Sequence, residues 1–424
     1  MKFISFFLIT VSLGAPAYPQ GNSVLLEELS HKAFNYFLEH SDPRTGLVLD
    51  RSLSDGRNVS GNNIASIAAT GFGLTAFVLA SENHWITREK ARVHILNSLK
   101  FLNSNKYRVH GWYYHWLDFK TGEPLFGSEV SSIDTSFFLA GVLTARQYFS
   151  DDSEIVTLAT QIYGQVDFNW MLNGDSKFLS HGWFPKSGFI NHKWNSYSEL
   201  MLLYILGISS PTHGITPSSW SAWTREKTNY KGLEYVQSDG SLFIHQYSHA
   251  WLDLRNLHEN FGDHINWFEN SKNAILANKA FCLSLAGEFN SYSKDMWGIT
   301  ASDSPYGYIA WGGPPRDSHI DGTVVPSALT GSLMFLADEV LRPLIKMSAQ
   351  NPKIISHYGF VNAFNSLTGW MAPDTLGIDA GITLLSIENM RKGSVWKYFM
   401  RNPEILATFE RIGLVSEQAM PLGL

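Results

Sequence analysis

Three carboxylates stand in stretches where an acid or a base has chemistry to do. Glu199 lies in Ser196-Tyr197-Ser198-Glu199-Leu200-Met201, where a polar, aromatic loop (His181-Gly182-Trp183-Phe184, then Asn191 to Asn195) runs into the apolar stretch Leu200 to Gly207. Asp134 lies in Ser131-Ser132-Ile133-Asp134, ahead of Thr135-Ser136-Phe137-Phe138, and Asp379 stands between two glycines in Leu376-Gly377-Ile378-Asp379-Ala380-Gly381. A carboxyl group beside Trp183, Trp194 and Tyr197 offers an acid together with flat apolar faces for a pyranose ring, which is the equipment for cleaving a glycosidic bond. A structural reading stands beside it. Ser196 with Glu199, and Ser131 with Asp134, fit capping boxes that satisfy backbone N–H groups at a helix start. The glycines around Asp379 admit a ligand closely and are also ordinary turn chemistry. A helix N-terminus lowers a carboxyl pKa, which suits a base. Glu199 acts as an acid only if desolvation or a neighbouring carboxylate outweighs that. Glu388, nine residues after Asp379, is half a turn out of phase, so one straight helix does not aim both at one site.

Polar rings form the second group of candidates. Phe243-Ile244-His245-Gln246-Tyr247-Ser248-His249-Ala250-Trp251-Leu252-Asp253 places His245, His249 and Asp253 four residues apart, on one face if the segment is helical. Metal ligation, sugar hydroxyl recognition and plain hydrogen-bonded histidines all fit; no second ligand motif accompanies the run, and no metal is expected. Gly111-Trp112-Tyr113-Tyr114-His115-Trp116 and Ala310-Trp311-Gly312-Gly313-Pro314 put Trp112, Trp116 and Trp311 in glycine-containing loops, where tryptophan more often forms a binding surface. Asp303, in the acidic aromatic loop from Trp297, fits either a sugar contact or a turn before Pro305. A second acidic stretch runs from Asp317 to Thr323. The single cysteine, Cys282, excludes an intrachain disulfide, and its apolar neighbours make it a buried residue. Hydrolase elbow, phosphate-loop, dinucleotide and zinc-protease signatures are missing from the sequence.

The elements that must position these groups are helical. Apolar residues recur at helical spacing over Leu25–His40, Thr87–Asn103, Ser131–Phe149, Asp151–Leu172, His245–Leu257, Trp267–Leu285, Asp374–Lys392 and Asn402–Ile412. Ile64–Ala80 is apolar nearly all round, with Gly71 and Gly73 inside it, as a buried, closely packed helix would be. Val324–Met347 reads as two pieces broken near Phe335–Asp338. No Pro/Gly/Ser tract divides the 424 residues. The expectation is one all-α domain over 21–424, a barrel of paired helices with functional loops at one end. A net charge of −6 without a basic run excludes nucleic acid and anionic lipid as expected partners. Met1-Lys2, the apolar stretch Phe3–Leu13 and Ala15-Pro16-Ala17 read as a signal peptide over 1–20, too short to span a bilayer. The expected location is therefore periplasmic or secreted, with no membrane insertion.

Taken in order, several stretches resemble a known family: Ile133-Asp134-Thr135-Ser136-Phe137-Phe138-Leu139-Ala140-Gly141, Tyr197 to Leu206, Ser210-Pro211-Thr212-His213, His245-Gln246-Tyr247-Ser248-His249, Trp267-Phe268-Glu269-Asn270-Ser271, Gly298 to Asp303, Tyr358 to Asn365 and Leu376 to Gly381. They are similar to the glucoamylase-like bacterial proteins that include the β-1,2-glucanases of glycoside hydrolase family 144, over about residues 25 to 414. The resemblance implies an (α/α)6 barrel, an inverting hydrolase of β-1,2-glucan without a cofactor, and a soluble glucan as the partner of a monomer. It carries over Glu199 as an essential acid, Asp134 and Asp379 as further acids, and His245, Gln246, Tyr247, His249 and Asp303 as sugar contacts. Ser198, where relatives more often carry Asn, and Trp311, where they more often carry a basic residue, are departures that bear on substrate length and cleavage mode. Trp112, Trp116, Trp183, Trp194, Trp311 and Tyr197 are the expected sugar platforms. Another glucosidic linkage, a polysaccharide lyase and a non-catalytic glycan-binding protein are the rival readings; a lyase would need more Arg and Lys among the aromatic loops.

Overall fold

The computed structural model describes residues 20–57, 61–237, 240–316 and 319–416. The expected signal segment up to residue 19, Asp317, and residues 417–424 of the expected frayed end lie outside the described residues. Thirteen α-helices fall among those described: α1 (Gln20–His40), α2 (Ile67–Glu82), α3 (Arg88–Ser104), α4 (Ser132–Tyr148), α5 (Ser153–Gly164), α6 (Phe168–Met171), α7 (Met201–Ser209), α8 (Trp267–Ser284), α9 (Pro326–Thr330), α10 (Leu333–Gln350), α11 (Gly377–Lys392), α12 (Ser394–Phe399) and α13 (Pro403–Arg411). The break expected near Phe335–Asp338 is present inside α10, where Leu336 leaves helical geometry. None of the described helices is long and apolar enough to cross a membrane.

Burial divides the helices into two sets. Residues 67–81 of α2, all of α7 and α9, and nearly all of α4 and α11 up to Asn389 are buried. By contrast α3, α5 and α13 bury one face only. A helix with no polar face must be covered on every side. Accordingly α2 packs on α4 and α11, α4 on α7, and α9 on α11. Between α7 and α9 the place of a helix is taken by two short 3-10 turns, Leu242–His245 and Ser248–Ala250. The long helix expected over His245–Leu257 does not form, because its polar side chains tie the segment to both neighbours. Ser248 Oγ donates to the Glu199 carbonyl at 2.6 Å and accepts from Leu202 N at 3.1 Å. On the other side Gln246 Nε2 donates to the Ala328 carbonyl at 2.9 Å.

The closest approach is between α2 and α4. A Cβ on Gly141 would lie 2.2 Å from the Gly71 carbonyl oxygen, and one on Gly71 2.2 Å from the Phe137 carbonyl oxygen. Only glycine at both positions lets these backbones touch. The sequence shows few strand signals, and the described residues contain only two- to four-residue strands in eight small sheets. Such short pairings are set by the loops they staple and leave no alternating pattern to read.

Candidate active site

Three inner helices begin in the same way. A short strand leads directly into each: Ile64–Ser66 into α2, Val130–Ser131 into α4, Asp374–Leu376 into α11. Each strand pairs antiparallel with a strand from another loop: 64–66 with Trp116–Asp118, 130–131 with Gly182–Phe184, 374–376 with Arg51–Leu53. The pairings pin the loops that carry His115, Trp183 and Arg51 to the N-terminal ends of the buried helices. Side chains there are held by rigid elements on both sides, as a preorganised site requires.

Asp134 stands in the first turn of α4, as expected, with Ser131 as its cap. Ser131 Oγ accepts from Asp134 N at 3.3 Å and donates to Asp134 Oδ2 at 2.5 Å. His115 Nδ1 lies 3.8 Å from the same Oδ2 and 2.9 Å from Glu129 Oε1. Burial opposes a charge on His115, but the Asp134, Glu129 and Asp50 charges outweigh it and push the imidazole pKa up to about 9. Glu129 is lowered in turn, burial being overcome by His115. Sequence reasoning passed over His115 and Glu129; a histidine inside an aromatic run carries no spacing signal for a carboxylate partner fourteen residues on.

Asp379 stands at the equivalent place in α11, also in the first turn, and is electrostatically the reverse. Burial pushes its pKa up to about 7, the Asn362 amide opposes the rise and the Asp303 charge adds to it. The lowering expected at a helix N-terminus is overridden, since desolvation of a fully buried carboxyl exceeds the helix dipole effect. Asn362 Nδ2 donates to Asp379 Oδ2, and its Oδ1 accepts from Asp303 N at 2.8 Å. Arg51 holds Asp303 through Nη1 at 3.1 and 3.2 Å, with Asp50 at 3.2 Å from Nε and Asp374 at 3.7 Å. Asp303 is therefore a buried strand residue in an ion-paired network; Ser304 Oγ, accepting from Tyr306 N at 3.1 Å, makes the turn contact instead. Glu388 points away, as its phase requires: it accepts from Ser30 and Asn83 and pairs with Arg391.

Glu199 is in the turn before α7 rather than in its first helical turn. The expected capping box does not form: α7 is preceded by Leu200 without a side-chain cap, and Ser196 bridges to Thr224 instead. The Glu199 side chain is partly exposed. Tyr247 packs between two of the inner helices. Its ring is buried edge-on against Phe72 of α2 and Phe137 of α4 at 5.7 and 5.6 Å. Its hydroxyl pKa is raised well above the ordinary value by burial first, then by the charges of Asp379, Tyr308, Glu199 and Asp134. The three expected acids thus lie within electrostatic reach of one buried phenol.

The other ring residues divide. Trp116 and Trp183 are partly exposed; Trp116 stacks on His115 at 4.0 Å. Trp112 and Trp311 are core residues, with no face left for a sugar: Trp112 Nε1 donates to the Asp167 carbonyl and Trp311 Nε1 to Ser302 Oγ, both at 2.9 Å. Trp194 is nearly buried, stacked on His181 at 3.8 Å with Nε1 on Ser132 Oγ. Tyr197 is buried against Trp267, its hydroxyl 3.0 Å from His245 Nδ1, and His249 Nε2 meets Ser271 Oγ at 3.1 Å. Burial lowers the pKa of both histidines to about 3. Gln246 is buried as well. These side chains are structural members under the site, and Asp253 is engaged with Arg255 rather than with the histidines. Loop tryptophans between glycines misled because the glycines here serve close backbone packing: Gly240 and Gly312 are in contact beside Trp311. Cys282 is buried within α8, as expected.

A family model described as "Putative glucoamylase" (Glycoamylase) matches residues 191–403, half of the chain. The chain belongs to this Glycoamylase family, as the ordered motifs implied. It is 28% identical over 440 aligned residues to the exo-β-1,2-glucooligosaccharide sophorohydrolase (non-reducing end) of Parabacteroides distasonis, covering 95% of this chain and 59% of that protein. The chain thus spans less than two thirds of this curated relative. The endo-β-1,2-glucanase of Chitinophaga pinensis, solved with sophorotriose and glucose, superposes with a TM-score of 0.86 at 28% identity, over 94% of this chain and 99% of that one. A solved β-1,2-glucanase of Parabacteroides distasonis gives 0.84 at 28% identity, over 94% of this chain and 61% of that one.

Proposed function

We propose that this protein is a glycoside hydrolase of β-1,2-linked glucan. The observation that carries the reading is that Asp134 and Asp379 stand in the first turns of two buried helices packed on α2, with Glu199 in the turn before α7, in a chain similar over nearly its whole length to an endo-β-1,2-glucanase. The buried segments α2, α4, α7, 242–250, α9 and α11 are the inner wall of an (α/α)6 barrel, residues 21–424 are one catalytic domain, and the preceding segment exports it to the periplasm or medium as a monomer. Support for the barrel is the succession of neighbour contacts around those six segments.

Glu199 is the general acid that protonates the leaving glycosidic oxygen. Asp379 is the base: it takes a proton from a water that attacks the anomeric carbon as the C–O bond breaks, and the configuration inverts. A base with a pKa near 7 is a stronger proton acceptor than an ordinary carboxylate and is about half ionised at neutral pH. Asp134, on the opposite helix, holds sugar hydroxyls, with Trp116 and Trp183 as ring platforms. The test is incubation with linear β-1,2-glucan, laminarin and starch, with products separated by size. Sophorose or short β-1,2 oligosaccharides alone are expected; products from starch alone would overturn the linkage. Glu199→Gln should reduce turnover about 10²–10⁴-fold while binding persists, the loss of turnover separating an enzyme from a glycan-binding protein.

A further inference from the structure

We propose that His115, held by Glu129, is a positioning residue that fixes the Asp134 carboxylate through its imidazolium. The inference rests on the hydrolase reading above. Both the Ser131 hydroxyl and His115 Nδ1 address one oxygen, Oδ2, at 2.5 and 3.8 Å. His115 is itself fixed from three directions. Its ring stacks on Trp116, its Nδ1 meets Glu129 Oε1 at 2.9 Å, and its backbone accepts from Ile67 N at 3.1 Å and donates to the Glu129 carbonyl at 2.9 Å. The Ile67 contact ties it to the first residue of α2, so α2, the loop before α4 and α4 itself meet at this one side chain.

The charged groups facing His115 are Asp134 from α4, Glu129 from the loop before it, and Asp50 from the segment between the first two strands. All three are acidic, so they favour the protonated ring, whose pKa they raise to about 9. The imidazolium is present below that value and is lost as pH rises through it. Turnover should therefore fall above about pH 9, as Asp134 loses its positive partner.

The test reads the ring and the reaction separately. In wild-type protein, ¹⁵N NMR of His115 should show titration near pH 9, and in Glu129→Gln at a lower pH. Steady-state kinetics on β-1,2-glucan should show an alkaline limb near 9 that moves down in Glu129→Gln and disappears in His115→Gln. The glutamine keeps a donor that does not titrate, so kcat should fall about 10- to 100-fold with little change in KM. A merely structural role would lower the melting temperature and leave the limb in place. The proposal is overturned if His115 titrates at its ordinary value, or if His115→Gln retains the alkaline limb. The three donor atoms lie within 4.8 Å of one another, so a loss of activity on EDTA that added divalent cation restores would also overturn it. Absence of wild-type turnover on β-1,2-glucan with His115 still titrating near 9 would sink the hydrolase reading and leave the ion triad standing.

Discussion

Asp134 and Asp379 occupy the same place on two buried helices that both pack against α2, yet their surroundings are opposite. Around Asp134 stand a buried hydroxyl and a charged imidazole with its carboxylate partner, the last two partly open to solvent. Around Asp379 stand a neutral amide and a like charge, in full burial. Position at a helix N-terminus contributes a small preference for the anion, of order 0.3–1 kcal/mol. Desolvation and neighbouring charge exceed it: Asp134 is charge-paired, and the pKa of Asp379 is pushed up to about 7, which suits the base proposed for it.

The comparison can be broken most forcibly at Asp379. Asp379→Asn should lower kcat about 10²–10⁴-fold, more than Asp134→Asn, because only the first removes the proton acceptor; equal losses would erase the distinction. The same substitution should stabilise the fold at neutral and alkaline pH. A folded-state pKa raised to about 7 means that the ionised acid weakens the native state. The stability it costs is fully present below the unfolded value near 4 and is lost as pH rises through 7. Calorimetry should therefore find Asp379→Asn melting about 2–4 °C above wild type at pH 8, with the gap closing in acid. A smaller effect is expected at Asn362, whose amide opposes the rise at Asp379. Asn362→Ala should move the acid limb of kcat/KM, expected near 7, to higher pH, whereas an unmoved limb would assign that limb to another group. The mildest change is at the rim: Trp183→Ala should raise KM about 2- to 10-fold and leave kcat intact, the loss of one stacking face.

What the sequence made legible follows from what each signal measures. The all-apolar run over 64–80 and the helical spacing from Leu25 and from Thr87 gave real helices, because burial on all sides or on one face writes itself into residue type. Asp134 and Asp379 stand in the first turns of their helices as their sequence surroundings implied, because capping and turn residues mark helix starts. Glu199 was placed one turn too far into its helix, since an apolar run does not show where the backbone first closes its hydrogen bonds. The segment after His245 deceived more: its four-residue spacing suggested one helical face, but the side chains bond to α7 and α9 and the backbone breaks into two 3-10 turns. Trp112 and Trp311 show the same limit, for a tryptophan beside a glycine packs inward as readily as outward. His115, Glu129, Arg51 and Asn362 were invisible as a set because three-dimensional pairing across loops leaves no linear spacing.

The most direct single measurement follows the anomeric configuration of the first product by ¹H NMR as wild-type enzyme cleaves linear β-1,2-glucan. The account predicts new reducing ends that are α at first and drift toward the equilibrium mixture by mutarotation. New ends that are β at first would show retention and contradict the assignment of Glu199 as acid and Asp379 as base to water.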